Sequence, residues 1–418
     1  MADPGLVRRL GFGDAVVLGL GSMLGAGVFA ALGPAAAAAG TGLLIALAVA
    51  AVVAYCNATA SARLAAVYPE SGGTYVYGRR RLGPVWGFTA GWGFVVGKTA
   101  SCAAMALTFG AYAWPAHPVP PAVAAVVVLT AVNYLGVTKT AGLTRLLVAA
   151  TLLALAAVVA AGLGGGAADP ANLTGWTGGG VLGIGQAAAL LFFSFAGYAR
   201  IATLGEEVRD PATTIPRAIP VALGIVLVIY AVIAVTALLA VGPGGLAAAA
   251  APLAAVAGSG TLAFLAPVVR VGGALASAGV LLSLMAGIGR TTLAMARDHE
   301  LPAVLGAVHP RFRVPHRAEL VLGVVVVVVV LVADVQAAIG FSSFAVLVYY
   351  AIANAAAFTL PGHQSPHRAR LRVVTVIGLL GCLALAFTLP PTTIAIGVVV
   401  LAVGVAGRAV LRTVRGRG

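Results

Sequence analysis

Residues 320–332 read Leu320-Val-Leu-Gly-Val-Val-Val-Val-Val-Val-Val-Leu-Val332, an apolar run without a single charge. The whole chain has the same character. Of its 418 residues, 61% are hydrophobic and 9% are charged, and the mean hydropathy is +1.07. Soluble domains carry about 25% charged residues, and a soluble fold of this length has no interior large enough to hide so much apolar surface. A bilayer removes the problem by becoming the solvent. Only helices and closed barrels satisfy the backbone in hydrocarbon. A barrel would alternate apolar and polar residues over strands of about ten residues. Runs like Leu320–Val332 do not alternate, so they read as membrane helices of about 20 residues each.

Outward from that run, twelve hydrophobic segments are expected: 14–37, 43–66, 84–112, 120–137, 143–164, 181–204, 217–241, 262–290, 316–333, 336–360, 371–389 and 391–409. Arg8 and Arg9 precede the first segment. It continues past signal-peptide length and shows no small-residue cleavage site, so it reads as a span and not as a cleaved leader. No soluble domain interrupts the pattern, and residues 1–418 read as one transmembrane domain. Pro/Gly stretches such as Gly242-Pro-Gly-Gly245 read as connectors. Cys56, Cys102 and Cys382 all fall in apolar segments, as small buried hydrophobes and not as a disulfide framework or metal site.

The net charge of +14 has a topological explanation. Arg79, Arg80 and Arg81 lie between segments two and three, and Lys139 between four and five. Arg209 follows segment six, Arg297, Arg311 and Arg313 follow eight, Arg368 and Arg370 follow ten, and Arg408, Arg412, Arg415 and Arg417 close the chain. The alternate set of loops holds no Lys or Arg and carries His117, Asp169 and Asp334 instead. By the positive-inside bias, both termini are expected in the cytoplasm, the cell membrane is the expected location, and lipid is the expected surrounding. The same distribution argues against a nucleic-acid partner.

Segment one contains Gly19-Leu-Gly-Ser-Met-Leu-Gly-Ala-Gly27-Val-Phe29. Four glycines within nine residues weaken a helix by about 1 kcal/mol each relative to Ala. One reading is a helix broken where it lines a cavity. The other is close helix packing, since Gly21 and Gly25 form a GxxxG pair. Segment six contains Phe192-Phe-Ser-Phe-Ala-Gly197-Tyr. Paired broken helices at corresponding places in an inverted repeat present N–H groups to anions and carbonyls to cations. An α-amino acid carries both charges.

These residues resemble the amino acid–polyamine–organocation (APC) superfamily, and its amino-acid permease branch in particular. Gly21–Phe29 is similar to the family's first-helix signature, and Pro69-Glu-Ser-Gly-Gly-Thr-Tyr75 to the loop after helix two. Asn133-Tyr-Leu-Gly-Val137 resembles the end of helix four. Glu206-Glu-Val-Arg-Asp-Pro211 with Ile215-Pro-Arg-Ala-Ile219 resembles the loop after helix six. Arg290, Ala294-Met-Ala-Arg-Asp298, Leu301-Pro302, His309-Pro310 and Pro315 resemble the loop after helix eight. The resemblance runs from residue 21 to 315, and the last hundred residues match mainly in hydropathy.

The resemblance implies an all-α integral membrane protein with a LeuT-type fold. Two five-helix inverted repeats (about 14–164 and 181–360) would be followed by two further helices (about 371–409). It implies a substrate site near the bilayer midplane. Gly25, Ala26 and Gly27 would offer N–H groups to a substrate carboxylate. Carbonyls near Ser22, Met23, Phe193 and Ser194 would receive the amino group. Phe193 would be an aromatic gate, and Ala196 and Gly197 would adjoin the substrate side chain. Many bacterial members carry a lysine on helix five where ion-coupled relatives hold sodium. That position is Thr151 here, and Ser283 on helix eight is a candidate second hydroxyl for sodium. Lys98 lies in segment three, where a charge costs about 3 kcal/mol or more. It reads either as a substrate or proton-coupling contact or as a structural lysine bonded to exposed carbonyls or snorkelling outward. Glu206, Glu207, Arg209, Arg297 and Asp298 are expected in cytoplasmic gate and loop ion pairs.

The function expected is secondary active transport of amino acids, coupled to a proton or sodium or running as exchange. A polyamine or other organic-amine carrier is the alternative. An enzyme is not expected: HExxH, GxSxG and Walker A sequences are absent. No cofactor or metal is expected beyond a coupling ion. The sequence leaves the particular amino acid and the oligomeric state open.

Overall fold

A computed structural model describes residues 10–68, 72–136, 141–174, 178–202, 208–362 and 368–415. Among these the regular structure is helical, apart from an isolated bridge between Leu10 and Val208. Segment one is three pieces: α1 (Phe12–Met23), α2 (Ala26–Ala30) and α3 (Leu32–Ala39). Gly40, with φ of 55°, turns the chain into α4 (Leu43–Val67). After α5 (Thr74–Arg81), Gly83 takes φ of 104° and Pro84 opens α6 (Pro84–Ala113). This is the proline-first geometry that costs a helix no hydrogen bond.

The chain continues through α7 (Val119–Tyr134), α8 (Ala141–Gly164) and α9 (Gly180–Phe195). A 3₁₀ turn at Ala196–Tyr198 leads to α10 (Ala199–Ala202). Then come α11 (Pro211–Ala248), α12 (Pro252–Ala257), α13 (Ala266–Arg297), α14 (His316–Val332), α15 (Val335–Phe358), α16 (Arg368–Thr388) and α17 (Pro391–Arg415). All twelve hydrophobic segments are therefore helices or broken helices. Segment four ends earlier than the sequence suggested, at Tyr134, because Gly136 turns away with φ of 72°. The connector at Gly242 is a kink inside α11, with φ of 67° ahead of Pro243.

Ten helical stretches of the described residues are long and apolar enough to cross a membrane. Segments four and nine form the shorter α7 and α14, of 16 and 17 residues. Burial separates centre from rim. Most of α6 and α15 is enclosed, whereas few residues of α17 are buried. The central α6 packs against α13 and α15, and α1 packs against α11 and α8.

Loops rich in arginine converge. Arg79 meets Asp298 at 2.8 Å, and the Tyr75 hydroxyl donates to the same carboxylate at 2.6 Å. Two residues on, Glu300 is buried and accepts from Arg408 and Arg412 of α17. Arg81 donates to the Thr359 hydroxyl after α15. On the far side of α1, the Arg209 amide donates to the Leu10 carbonyl, and Arg145 pairs with Asp14.

Candidate functional site

The site begins where α1 stops. Leu24 keeps a helical bond to Leu20, but Gly25 departs to ψ of −120°, and Ala26 starts the helix again. Ala31 retains helical dihedrals and its carbonyl accepts from the Ala35 amide, so α2 and α3 run on as one half-helix. Helix starts leave their first amides without intrahelical partners, and helix ends leave carbonyls. Gly25, Ala26 and Gly27 stand at the start of that half-helix. Ser22 and Met23 stand at the end of α1. The interruption thus falls within the glycine-dense stretch of segment one.

Segment six is interrupted differently. No gap opens between α9 and α10. The chain tightens into the 3₁₀ turn, and Phe195, Ala196 and Ala199 keep helical dihedrals. Ser194 and Ala196 are buried, and Phe193 is half-buried.

The two interruptions touch through backbone. A Cβ on Gly27 would lie 2.6 Å from Ser194 Cα, and one on Gly197 would lie 2.3 Å from the Ser22 carbonyl oxygen. No side chain fits at either position. The GxxxG reading is also satisfied, against other partners. Gly21 faces Val148 and Thr144 of α8, and Gly25 faces Val280 of α13. Small residues thus serve both the break and the packing around it.

Aromatic side chains that sequence reasoning did not single out hold this crossing together. The Tyr230 hydroxyl of α11 sits within hydrogen-bond reach of the Met23 carbonyl and 3.1 Å from the Ser194 carbonyl. One buried hydroxyl therefore bridges both interrupted helices. Tyr350 of α15 donates to the Ala196 carbonyl at 3.3 Å, stacks on Tyr198 and meets Phe192 edge-on. Tyr112 of α6 donates to the Phe29 carbonyl at 3.1 Å and accepts from the Leu253 amide at 3.2 Å. A tyrosine alone in an apolar run, as Tyr230 is within Val221–Val235, is the available sequence signal. Buried phenols usually find a partner. The Ser194 hydroxyl is buried without a partner among the described residues.

Thr151 lies where α8 meets the break. With Thr144 and Val148 it lines a narrow gap shared with Gly21 and Gly25 and with Ala276, Gly279 and Val280 of α13. Its hydroxyl donates to the Leu147 carbonyl of its own helix at 2.8 Å. Ser283 is half-buried further along α13 and does not line that gap. Lys98 is buried midway along the 30-residue α6. No ion pair joins it to a carboxylate among the described residues.

Of the expected gate residues, Asp298 makes the contacts already given, while Arg209 and Arg297 are exposed. Glu206 and Glu207 lie outside the described residues. Glu300 and Glu319, both buried, were missed. The signal for Glu319 was a lone acid in the first turn of an apolar segment.

An all-helical bundle of this hydropathy, with interrupted helices crossing at backbone contact, is a multi-pass membrane protein. The model of the amino acid permease family matches residues 10–410, and the chain belongs to that family. Its members are transporters and not enzymes. The chain is 62% identical to an uncharacterized transporter of Mycobacterium tuberculosis over 99% of this chain and 93% of the relative. It is 26% identical to a branched-chain amino acid permease of Bacillus subtilis over 77% of this chain and 74% of the relative. To a methylthioribose transporter of Bacillus subtilis it is 26% identical, over 96% and 92%.

Proposed function

We propose that the chain is a secondary active permease that moves amino acids across the plasma membrane by alternating access. In this reading the scaffold is LeuT-type, with α1–α3 and α9–α10 as the paired first helices of two five-helix repeats. A substrate carboxylate would meet the amides of Gly25, Ala26 and Gly27. Its ammonium would meet carbonyls at Ser22, Met23, Phe193 and Ser194. The observation that carries the reading is the crossing itself, where Gly27 lies on Ser194 and Gly197 on Ser22. Two helix ends of opposite polarity thereby converge on one point. The buried, unpartnered Ser194 hydroxyl adds a polar group there.

No Asp or Glu is among the residues of the crossing, which favours a neutral side chain over a cationic one. The positive-inside bias of the arginine-bearing loops supports cytoplasmic termini in this reading. Coupling divides between two arrangements: sodium at the Thr151 gap, or a proton involving Lys98. Exchange without ion coupling is a third mode. A polyamine or other organic amine is the alternative substrate, although it lacks the carboxylate that the half-helix start would bind.

The test is ligand-induced thermostability of the purified protein. The panel holds neutral L-amino acids, their methyl esters, cationic amino acids, polyamines and methylthioribose. Stabilisation by neutral amino acids, lost on esterification, is expected. Stabilisation by polyamines or methylthioribose alone would overturn the substrate assignment.

A further inference from the structure

Glu319 stands in the first turn of α14 and is 2% exposed, with Oε2 fully buried and no hydrogen-bond partner among the described residues. Gly289 of α13 makes room for it. A Cβ there would lie 2.3 Å from Glu319 Oε1 and 3.4 Å from Pro315 Cγ. The carboxyl group is therefore seated in a fitted recess against the same helix that carries Val280 to the break at Gly25.

Charged and titratable neighbours do not neutralise it. On α13 the electrostatic partner is Arg290, which is exposed and makes no ion pair with Glu319. On α6 it is Cys102, which is also within electrostatic reach of Lys98 one turn earlier. On α7, Tyr134 packs edge-on against His316, the residue that opens α14, and His309 meets the same ring. Arg317 is the remaining ionisable group at the start of α14. The helix N-terminus favours an anion, but the help of a dipole is smaller than the loss of hydration when a carboxylate is buried unpaired.

We infer that Glu319 is a proton-binding site, protonated on its buried Oε2 while enclosed between α6 and α13 and deprotonated when the bundle opens to water. The step is RCOO⁻ + H⁺ → RCOOH. The proton comes from the solution on one side and returns to solution on the other, so each cycle carries one positive charge with the substrate. The inference rests on the transport reading above and names a coupling group for it on α14, a helix that reading leaves without a role.

The experiment has one arm that needs no substrate. Infrared difference spectra of wild type minus Glu319→Gln in lipid at neutral pH should show the carbonyl stretch of one protonated carboxylic acid, fading as the pH rises. Absence of that band would overturn the proposal. The second arm compares counterflow of neutral L-amino acids with uptake driven by an inward proton gradient. Glu319→Gln should keep counterflow and lose the stimulation by protons, and retained stimulation would overturn the proposal. If wild type shows no counterflow at all, the transport reading fails, and the infrared band still decides the protonation of Glu319. Should Glu319→Gln not fold, carbodiimide labelling of wild type replaces it. A peptide-mapped adduct at Glu319 that disappears at high pH is expected, and an unlabelled Glu319 at low pH would refute the site.

Discussion

Gly25→Ala should damage the protein in a way that a second substitution repairs. The new Cβ would lie 2.0 Å from Val280 Cγ2, and the next obstacles are Val280 Cβ at 3.2 Å and the Ala276 carbonyl at 3.6 Å. The block is essentially one methyl group. Overpacking of this kind costs about 1–3 kcal/mol, and each 1.4 kcal/mol or so is tenfold in an equilibrium. Val280→Ala removes the methyl, so Gly25→Ala/Val280→Ala should be less damaged than the sum of the singles. Contacting pairs show coupling of about 0.5–3 kcal/mol. Gly197→Ala is the contrasting case. Its Cβ would lie 2.3 Å from the Ser22 carbonyl oxygen and 2.5 Å from the Ser22 carbonyl carbon, so Ser22→Gly should not rescue it. The assay is the fraction of detergent-purified protein that remains monodisperse after heating, with amino-acid counterflow measured in parallel. An undamaged Gly25→Ala, or a double variant no better than Gly25→Ala alone, would refute the packing argument.

Tyr230→Phe removes the hydroxyl shared by the Met23 and Ser194 carbonyls. It should cost about 1 kcal/mol of stability, with a larger fall in transport than in thermostability. Glu300→Ala strands the buried Arg408, whose side chain is 7% exposed. It should cost about 3–5 kcal/mol, whereas Arg412→Ala, at 49% exposure, should cost about 1 kcal/mol or less; denaturation midpoints of the two variants check the order. Burial and the Asp298 carboxylate beside it push the Tyr75 phenol above its ordinary range. The unfolded chain then loses that proton first, so the contribution is complete below about pH 10 and declines as pH rises beyond it. Tyr75→Phe should flatten the alkaline loss of thermostability relative to wild type. Lys98→Met should change the pH dependence of uptake; an unaltered rate and pH profile would remove Lys98 from coupling.

The glycines of segment one signalled either a bend in the chain or the close approach of a neighbour, without deciding between them. Both happen, at Gly25 and at Gly27 and Gly197. The hydrophobic segments were legible because hydrocarbon admits one kind of open-ended span. The shape of the second interruption was not. Phe192–Tyr198 contains one glycine, and a 3₁₀ turn differs from an α-helix by a hydrogen-bond shift that composition does not record. Tyr230, Tyr350 and Glu319 act across sequence separations that no local pattern encodes. Ser283 was grouped with Thr151 by chemistry alone, and the face of α13 that meets Thr151 is formed by Ala276, Gly279 and Val280.

The central claim is that this chain moves amino acids by binding their two charged ends at the crossing of its interrupted helices. The most direct measurement is uptake of radiolabelled amino acids into proteoliposomes. Each is tested with an inward proton gradient, with an inward sodium gradient, with amino acid inside, and with none of these. The account predicts uptake of neutral L-amino acids above empty liposomes, stimulated by at least one of the three drives and abolished by Gly197→Ala. Folded protein that takes up no amino acid under any drive, or that transports amines equally well without a carboxylate, would contradict it.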